Sequence, residues 1–344
     1  RALWGLKPQG YHAVNVLLHA INALLLWQLL WRLMVPGAWL AAAIFALHPV
    51  QVESVAWITE LKNVQSTLFY LLALLAWVKC AEKPAVQQWR SYYYWLALFC
   101  HAFALFSKTT ACTLPLGLLL VLWWRREAIG WRRILQVLPF IFLGVAMGSV
   151  SVWWEKHLGN YVPEAGAHLD LVERVLIATR AVWFYAAKVF WPVNFTFSYP
   201  KWDLNTRAPL QYLGLVGCVV VALLLWWRRH TLGRGVTAGV VFFVGALSPL
   251  LGFIPLYTFR YSYVADHYQY LACAGLIIPF AALISNRVLS QRLGRGSRRW
   301  LPGGLLLVLG VMTWKQAQIY ANETTLWQDT LAKNPSSWLA HYNL

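Results

Sequence analysis

Apolar runs broken by short polar interruptions fill this chain, and the lengths of the runs sort them into two kinds. Ala13–Trp31, Ile134–Trp154 and Val236–Tyr257 are close to the ~20 residues that a helix needs to cross ~30 Å of hydrocarbon at ~1.5 Å per residue. Others are abbreviated: Leu33–Leu47 has 15 residues and Thr67–Val78 has 12. Tyr92–Phe106, Ala111–Trp124, Tyr212–Trp227, Leu271–Ile284 and Trp300–Trp314 complete ten predicted spans. The predicted class is all-α, a polytopic transmembrane helical bundle.

The first abbreviated pair encloses LHPVQVESVAWITELKNVQS, residues 47–66. Flanks this short predict that the polar stretch sits below the membrane surface, where non-helical backbone is tolerated only inside protein or beside a water-filled cavity. Pro49 suits the first position of a short helix. On that helix Glu53, Trp57 and Glu60 fall at i, i+4 and i+7 and share a face. His48, Lys62 and Asn63 add polar groups that are costly to hold near lipid. A re-entrant structural hairpin would explain the pattern; a functional site explains it with a use for the charges.

Two more tips have the same character. Ser107-Lys108-Thr109-Thr110 joins two abbreviated spans, and Lys108 there either snorkels to water or meets a phosphate oxygen. TFRYSYVADHYQY, residues 258–270, carries Arg260, Asp266, His267 and four tyrosines, Tyr268 and Tyr270 among them, ahead of a short span. The expectation is that the three tips converge on one extracytoplasmic cavity lined by His48, Trp57, Glu60, Asp266, Tyr268 and Tyr270. In the first span His12, Asn15, His19 and Asn22 form one polar seam. His12 and His19 are two turns apart, too far to share a metal, so hydrogen bonding between helices is the plain reading. His12, nearest the outer surface, can reach the cavity. The long connection 155–211 holds Val175–Val193, read as a helix in the interface plane, with a buried re-entrant pair as the alternative, and the Asn194-Phe195-Thr196 glycosylation pattern.

Composition sets the environment. Of 344 residues 60% are hydrophobic and 12% charged, about half the charged fraction of a soluble domain. A net charge of +17 suggests nucleic acid until its distribution is traced: the basic residues gather at 79–90, 125–133, 228–234 and 287–299, all between apolar runs. Those are cytoplasmic loops by the positive-inside rule, and nucleic acid is not an expected partner. Of the 12 acidic residues only Glu82 and Glu127 fall on that side. Cys80, Cys100, Cys112, Cys218 and Cys273 show no metal-ligand spacing and read as small core residues. The tail from residue 315 turns polar with a helical apolar period, and NPSSWLAHYNL looks like the opening of a tetratricopeptide repeat. One repeat cannot bury its core, and the chain opens at Arg1 without an initiator, so a longer protein is expected.

LHPVQVESVAW with ELKNVQS, FALFSKTTACTLP, FYAAKVFWPVNFTFSYP, ADHYQYLA and WQDTLAKNPSSWLAHYNL resemble, in this order, the transmembrane and tetratricopeptide-repeat O-mannosyltransferase family and its bacterial relatives. The resemblance implies a C-type glycosyltransferase-like membrane module over residues 1–314, with a linker and the start of a repeat solenoid over 315–344. It implies a polyprenyl-phosphate sugar as donor, a membrane lipid, and a protein or glycan hydroxyl acceptor recruited through the repeats, with no cofactor evident. The compartment would be a bacterial inner membrane with repeats in the periplasm, or the endoplasmic reticulum with repeats in the lumen. A carboxylate must take the acceptor's proton, for which Glu53 is the candidate present, and Lys108, Arg260, His267 and Lys62 are the candidate donor-phosphate contacts. Two departures stand out. The acidic first outer loop of such enzymes would lie mostly before Arg1, and the position of His267 is commonly Arg in related sequences. No metal-ligand set is evident. The rival readings are a non-catalytic scaffold that presents repeats to partners and a transporter, which would show internal repeats with broken helices.

The charge pattern puts both ends of the sequence outside. Cysteines introduced as Arg132→Cys and Ser297→Cys are expected to be shielded from an impermeant thiol reagent in intact cells, whereas Lys333→Cys is labelled. Labelling at 297 would overturn the assignment.

Overall fold

The computed structural model describes residues 5, 7–84, 87–157, 169–254, 257–285 and 297–344. Helices account for its regular structure, as the apolar periodicity requires, and no strand occurs among the described residues. The succession is α1 (Pro8–Arg32), α2 (Ala38–Leu47), α3 (Val52–Ala56), α4 (Leu61–Ala81), α5 (Tyr92–Ser107), α6 (Leu114–Trp124), α7 (Trp131–His157) and α8 (Leu171–Phe190). It continues with α9 (Leu213–Trp227), α10 (Gly233–Leu247), α11 (Ala274–Ile284), α12 (Ser297–Ile319), α13 (Glu323–Lys333) and α14 (Trp338–Asn343). By length and composition five helical stretches can cross a membrane: 8–32, 58–81, 131–154, 209–227 and 233–250. A sixth exists if α2 and residues 49–56, bent by 53°, count as one. The remaining segments predicted to cross form shorter or more polar helices.

The structure corrects three boundaries. Thr67–Val78 is not a stub but the middle of the 21-residue α4, which opens at Leu61. Lys62 and Asn63 therefore lie on its first turn, their backbone groups inside the helix. The span expected over 236–257 ends as α-helix at Leu247, where a 3-10 turn, Ser248–Leu250, takes over at Pro249. The last span runs past residue 314 to Ile319. Residues 287–296 of the basic run, and residues 1–4 and 6 ahead of α1, lie outside the described part.

α1 shows why a polar seam belongs in an apolar helix. Asn15, His19 and Asn22 are buried while Val16, Leu17 and Leu24 face outward. His19 donates from Nε2 to the Ala46 carbonyl at 3.1 Å, so its Nδ1 accepts from the Tyr270 hydroxyl at 2.8 Å. Asn22 donates to Val64 O at 2.8 Å and to the same tyrosine oxygen at 3.2 Å. One seam thus ties α1 to α2, α4 and the segment ahead of α11. Each such bond contributes on the order of 1 kcal/mol.

Elsewhere the helices are held by apolar packing and close backbone approach. α4 lies along α5, and α10 crosses α11 where Gly239 and Gly275 face each other. A Cβ on Gly275 would sit 2.5 Å from Gly239 O, so only glycine allows the contact. At the opposite end of the bundle the two acids of the basic side are both paired. Glu127 meets Arg125 at 3.0 Å and Arg133 at 2.5 Å, and Glu82 lies 3.6 Å from Arg125. α8 opens with an Asp170–Glu173 capping box and buries Leu176, Ile177, Ala181, Tyr185 and Val189 along one side.

Gly275→Ala should lower the thermal midpoint of the purified protein, because overpacking of this kind costs about 1–3 kcal/mol. Gly303→Ala, whose Cβ would meet nothing within 4 Å, should leave the midpoint unchanged. An equal response at the two positions would remove the close-approach argument.

Candidate active site

Alternating helix directions bring four polar segments to the end of the bundle opposite the basic loops. They are the turn between α2 and α4, the turn between α5 and α6, residues 257–273, and the chain after α12. The first of these is not one helix. His48 is extended, as a residue before proline prefers, and its Nδ1 accepts from Val50 N at 3.2 Å to cap the turn that Pro49 opens. The α3 helix then stops at Trp57, again extended, before a second short turn, Ile58–Glu60. Asn15 donates its side-chain amide to the freed carbonyls of Val55 and Trp57, at 3.3 and 3.5 Å. The break turns Trp57 toward a cavity and Glu60 inward, so the shared face expected for Glu53, Trp57 and Glu60 does not exist.

Glu53 meets His267 twice. Its Oε2 accepts from the backbone N–H of His267 and its Oε1 from the ring Nδ1–H, each at 2.9 Å. This contact joins residues 214 positions apart and is buried. With Glu53 ionised, the proton of the ring sits on Nδ1 and Nε2 keeps its lone pair. Burial pushes the imidazole down to about 3, with Glu60 opposing and Lys108 and Lys62 adding to the fall, so the ring is neutral. A neutral ring holds phosphate less strongly than a cation does. Trp57 packs edge-on to His267 at 5.7 Å and to Phe197 at 4.8 Å.

Behind this pair lies a charged cluster centred on Asn63. Asn63 donates to His267 O at 2.9 Å and to a Glu60 carboxylate oxygen, and it accepts from Lys108 Nζ. Glu60 is fully buried between Lys62, at 2.9 Å, and Lys108, at 3.8 Å. Lys108 sits in extended backbone between α5 and a 3-10 turn, Thr109–Thr113, and faces the Tyr268 ring at 5.9 Å. Burial lowers its ammonium to about 8, with Glu60 working the other way. Two lysines against one carboxylate leave the cluster one positive charge in excess.

A cavity of about 740 Å³ opens over the pair. His12, Glu53, Trp57, His267 and Tyr268 line one side; Tyr320, Asn322, Trp327, Leu339 and Asn343 line the other. That second wall is the α13–α14 hairpin and the residues before it. Lys333 donates to Phe195 O at 2.7 Å, Asn334 to Ser198 O at 3.0 Å, and Trp327 packs edge-on to Phe197 at 5.2 Å. Sequence reading missed this wall, together with Phe197, although FTFSYP and WQDTL carried unassigned aromatics.

Other expected site residues lie elsewhere. Both ring nitrogens of His48 are spent on structure, since Nε2 donates to Val189 O at 2.9 Å, and it is absent from the cavity wall. Arg260 is exposed and lies over the Tyr261 and Trp338 rings. Asp266 is buried and accepts twice from Tyr199, at 2.8 and 3.0 Å. Burial, reinforced by nearby Glu53, drives its carboxyl well above the usual range. Tyr270 is committed to α1, and Glu60 and Lys62 belong to the charged cluster. Among the described residues no three His, Cys, Asp or Glu side chains gather as a metal-ligand group.

The chain is similar to curated proteins named protein O-mannosyl-transferase. It is 24% identical to F38B6.6 of Caenorhabditis elegans over 357 residues, 97% of this chain and 47% of that protein. It is 42% identical to TMTC2 of Mus musculus over 80 residues, 23% of this chain and 10% of that protein. With Tmtc1 of Drosophila melanogaster it shares 40% over 76 residues, 21% of this chain and 9% of that protein. The chain thus spans less than half the length of each of these relatives. No protein-family model and no solved structure matches it.

Glu53→Ala strands two buried donors of His267, which costs about 2–6 kcal/mol at ~1–3 kcal/mol each, and should lower the thermal midpoint accordingly. Glu53→Gln keeps an acceptor and should lose less. Equal midpoints for wild type and both variants would mean that the contact holds nothing.

Proposed function

We propose that this chain, similar along nearly its whole length to a protein O-mannosyl-transferase, is the membrane module of a glycosyltransferase. It moves a sugar from a polyprenyl-phosphate donor to a hydroxyl acceptor at the extracytoplasmic face. The observation that carries this reading is the Glu53–His267 pair, with an open imidazole nitrogen at a cavity wall and a lysine cluster behind it. His267 Nε2 takes the proton of the acceptor hydroxyl; burial makes the resting imidazole a weak base, so the transfer depends on an ionised Glu53 that holds the ring and stabilises the imidazolium that forms. The acceptor oxygen bonds to the anomeric carbon of the sugar while the bond from that carbon to the phosphate oxygen breaks. The electron pair leaves with the phosphate, and Lys108, aided by Lys62, offsets the added negative charge. The products are the glycosylated acceptor, a polyprenyl phosphate and a proton, so atoms and charge balance.

The far wall gives the acceptor side. The α13–α14 hairpin begins a tetratricopeptide repeat array that delivers the acceptor, and Trp57, Phe197 and Trp327 form an aromatic flank against which a sugar or peptide packs. Such a chain resides in a membrane whose outer aqueous side holds the repeats.

Purified full-length protein, assayed with a polyprenyl-phosphate sugar, tests the assignment. Lys108→Ala should slow transfer by about 100-fold and His267→Ala by about 100-fold or more. Lys108 is charged below about pH 8, so wild-type turnover should fall as pH rises through that value. Lys108→Arg, which stays protonated, should shift the fall to higher pH. Full turnover in the Lys108→Ala and His267→Ala variants would reject both roles.

A further inference from the structure

A larger cavity lies away from this site. It lies between α8, α9 and α10, encloses about 950 Å³, and its wall includes Val182, Ala186, Ala222, Leu225, Val240 and Val244. Adjacent antiparallel helices joined by a short connection normally pack on each other. Here α9 leans on α8, where Trp183 donates to Gly214 O at 2.9 Å, and none of its residues is buried. A gap therefore separates α9 from α10 over most of their length. Empty apolar space forfeits the dispersion contacts of its lining, and water gains no partners on such a wall. In a bilayer, acyl chains fill it.

The basic end of the gap is specific. Arg229 and Arg234 stand at its mouth on the side of the cytoplasmic loops. Arg234 is anchored to Trp123 O at 2.7 Å with its guanidinium over the Trp123 ring, and Arg229 lies over Trp226 at 5.1 Å. Two oriented guanidiniums at the head of an apolar slot match a phosphate whose chains enter the slot. α10, at 15 residues, is ~22 Å long, more than the ~15 Å depth of one leaflet. The slot opens at the inner leaflet, whereas Lys108 and His267 are at the opposite end of the bundle. The polyprenyl donor would need its phosphate at that opposite end.

We infer that the α8–α9–α10 slot is a binding site for one anionic diacyl phospholipid of the inner leaflet, its phosphate on Arg229 and Arg234 and its acyl chains along α10. The inference does not rest on the proposed chemistry.

Native mass spectrometry of the full-length protein tests it, with equimolar palmitoyl-oleoyl phosphatidylglycerol and phosphatidylcholine added. Wild type should retain phosphatidylglycerol in preference, and Arg229→Gln with Arg234→Gln, both at exposed positions, should reduce its retention about tenfold. Ala222→Trp, which fills the slot from an exposed position, should abolish retention of that lipid while leaving the thermal midpoint of the lipid-free protein in place. Equal retention of the two lipids by wild type would overturn the inference. So would undiminished phosphatidylglycerol in the double variant, or its displacement by an equimolar polyprenyl phosphate.

Discussion

A carboxylate that accepts two hydrogen bonds from one distant histidine holds this end of the molecule together. Glu53 rides on a five-residue helix that could not stand alone, and His267 lies in a run of turns with little regular structure. Irregular backbone at a bundle end survives only when its polar groups find partners inside the protein. Glu53 supplies acceptors for His267, Asn63 for its neighbours supplies both donor and acceptor, and Asn15 satisfies the carbonyls that the break at Trp57 releases. The same contacts that satisfy the backbone orient the chemistry. With Nδ1–H committed to an ionised Glu53, the remaining ring nitrogen keeps its lone pair, which is what the proposed role of His267 as a base requires.

The cavity is shared between two parts of the chain that differ in character. One wall is made by helix ends of the apolar bundle, and the other by a polar helical hairpin anchored through Lys333 and Asn334 to main-chain carbonyls at 195 and 198. Anchoring on backbone rather than on side chains makes the roof indifferent to most substitutions in that loop, while Trp327 against Phe197 sets its distance from the floor. Whatever occupies the face of the hairpin toward this cavity therefore borders the imidazole.

Much of this was legible in the residues. Apolar run lengths located the helices, and abbreviated runs flanking polar tips pointed to Glu53, Lys108 and the 266–270 segment, which the fold brings together. The rest depended on long-range contacts that no local pattern encodes. Helical spacing could not show that the chain breaks at Trp57, since an amide from Asn15, 42 positions away, stabilises the break. His48 looked like a cavity group because histidine is costly in an apolar setting, yet its two nitrogens serve Val50 and Val189. Arg260 had the right charge for phosphate but lies over the Tyr261 and Trp338 rings. The contact between Glu53 and His267, on which the proposed role of the ring rests, joins residues 214 positions apart.

The central claim is that Glu53 acts through His267 rather than on the acceptor itself, and a double-mutant cycle tests it most directly. Sugar transfer from a polyprenyl-phosphate donor would be measured for the full-length wild type, Glu53→Gln, His267→Ala and the combined variant. If Glu53 works by orienting and balancing the imidazole, the combined variant should be no slower than His267→Ala alone, a strong departure from additivity. Penalties that multiply in the combined variant would show two independent contributions and contradict the account.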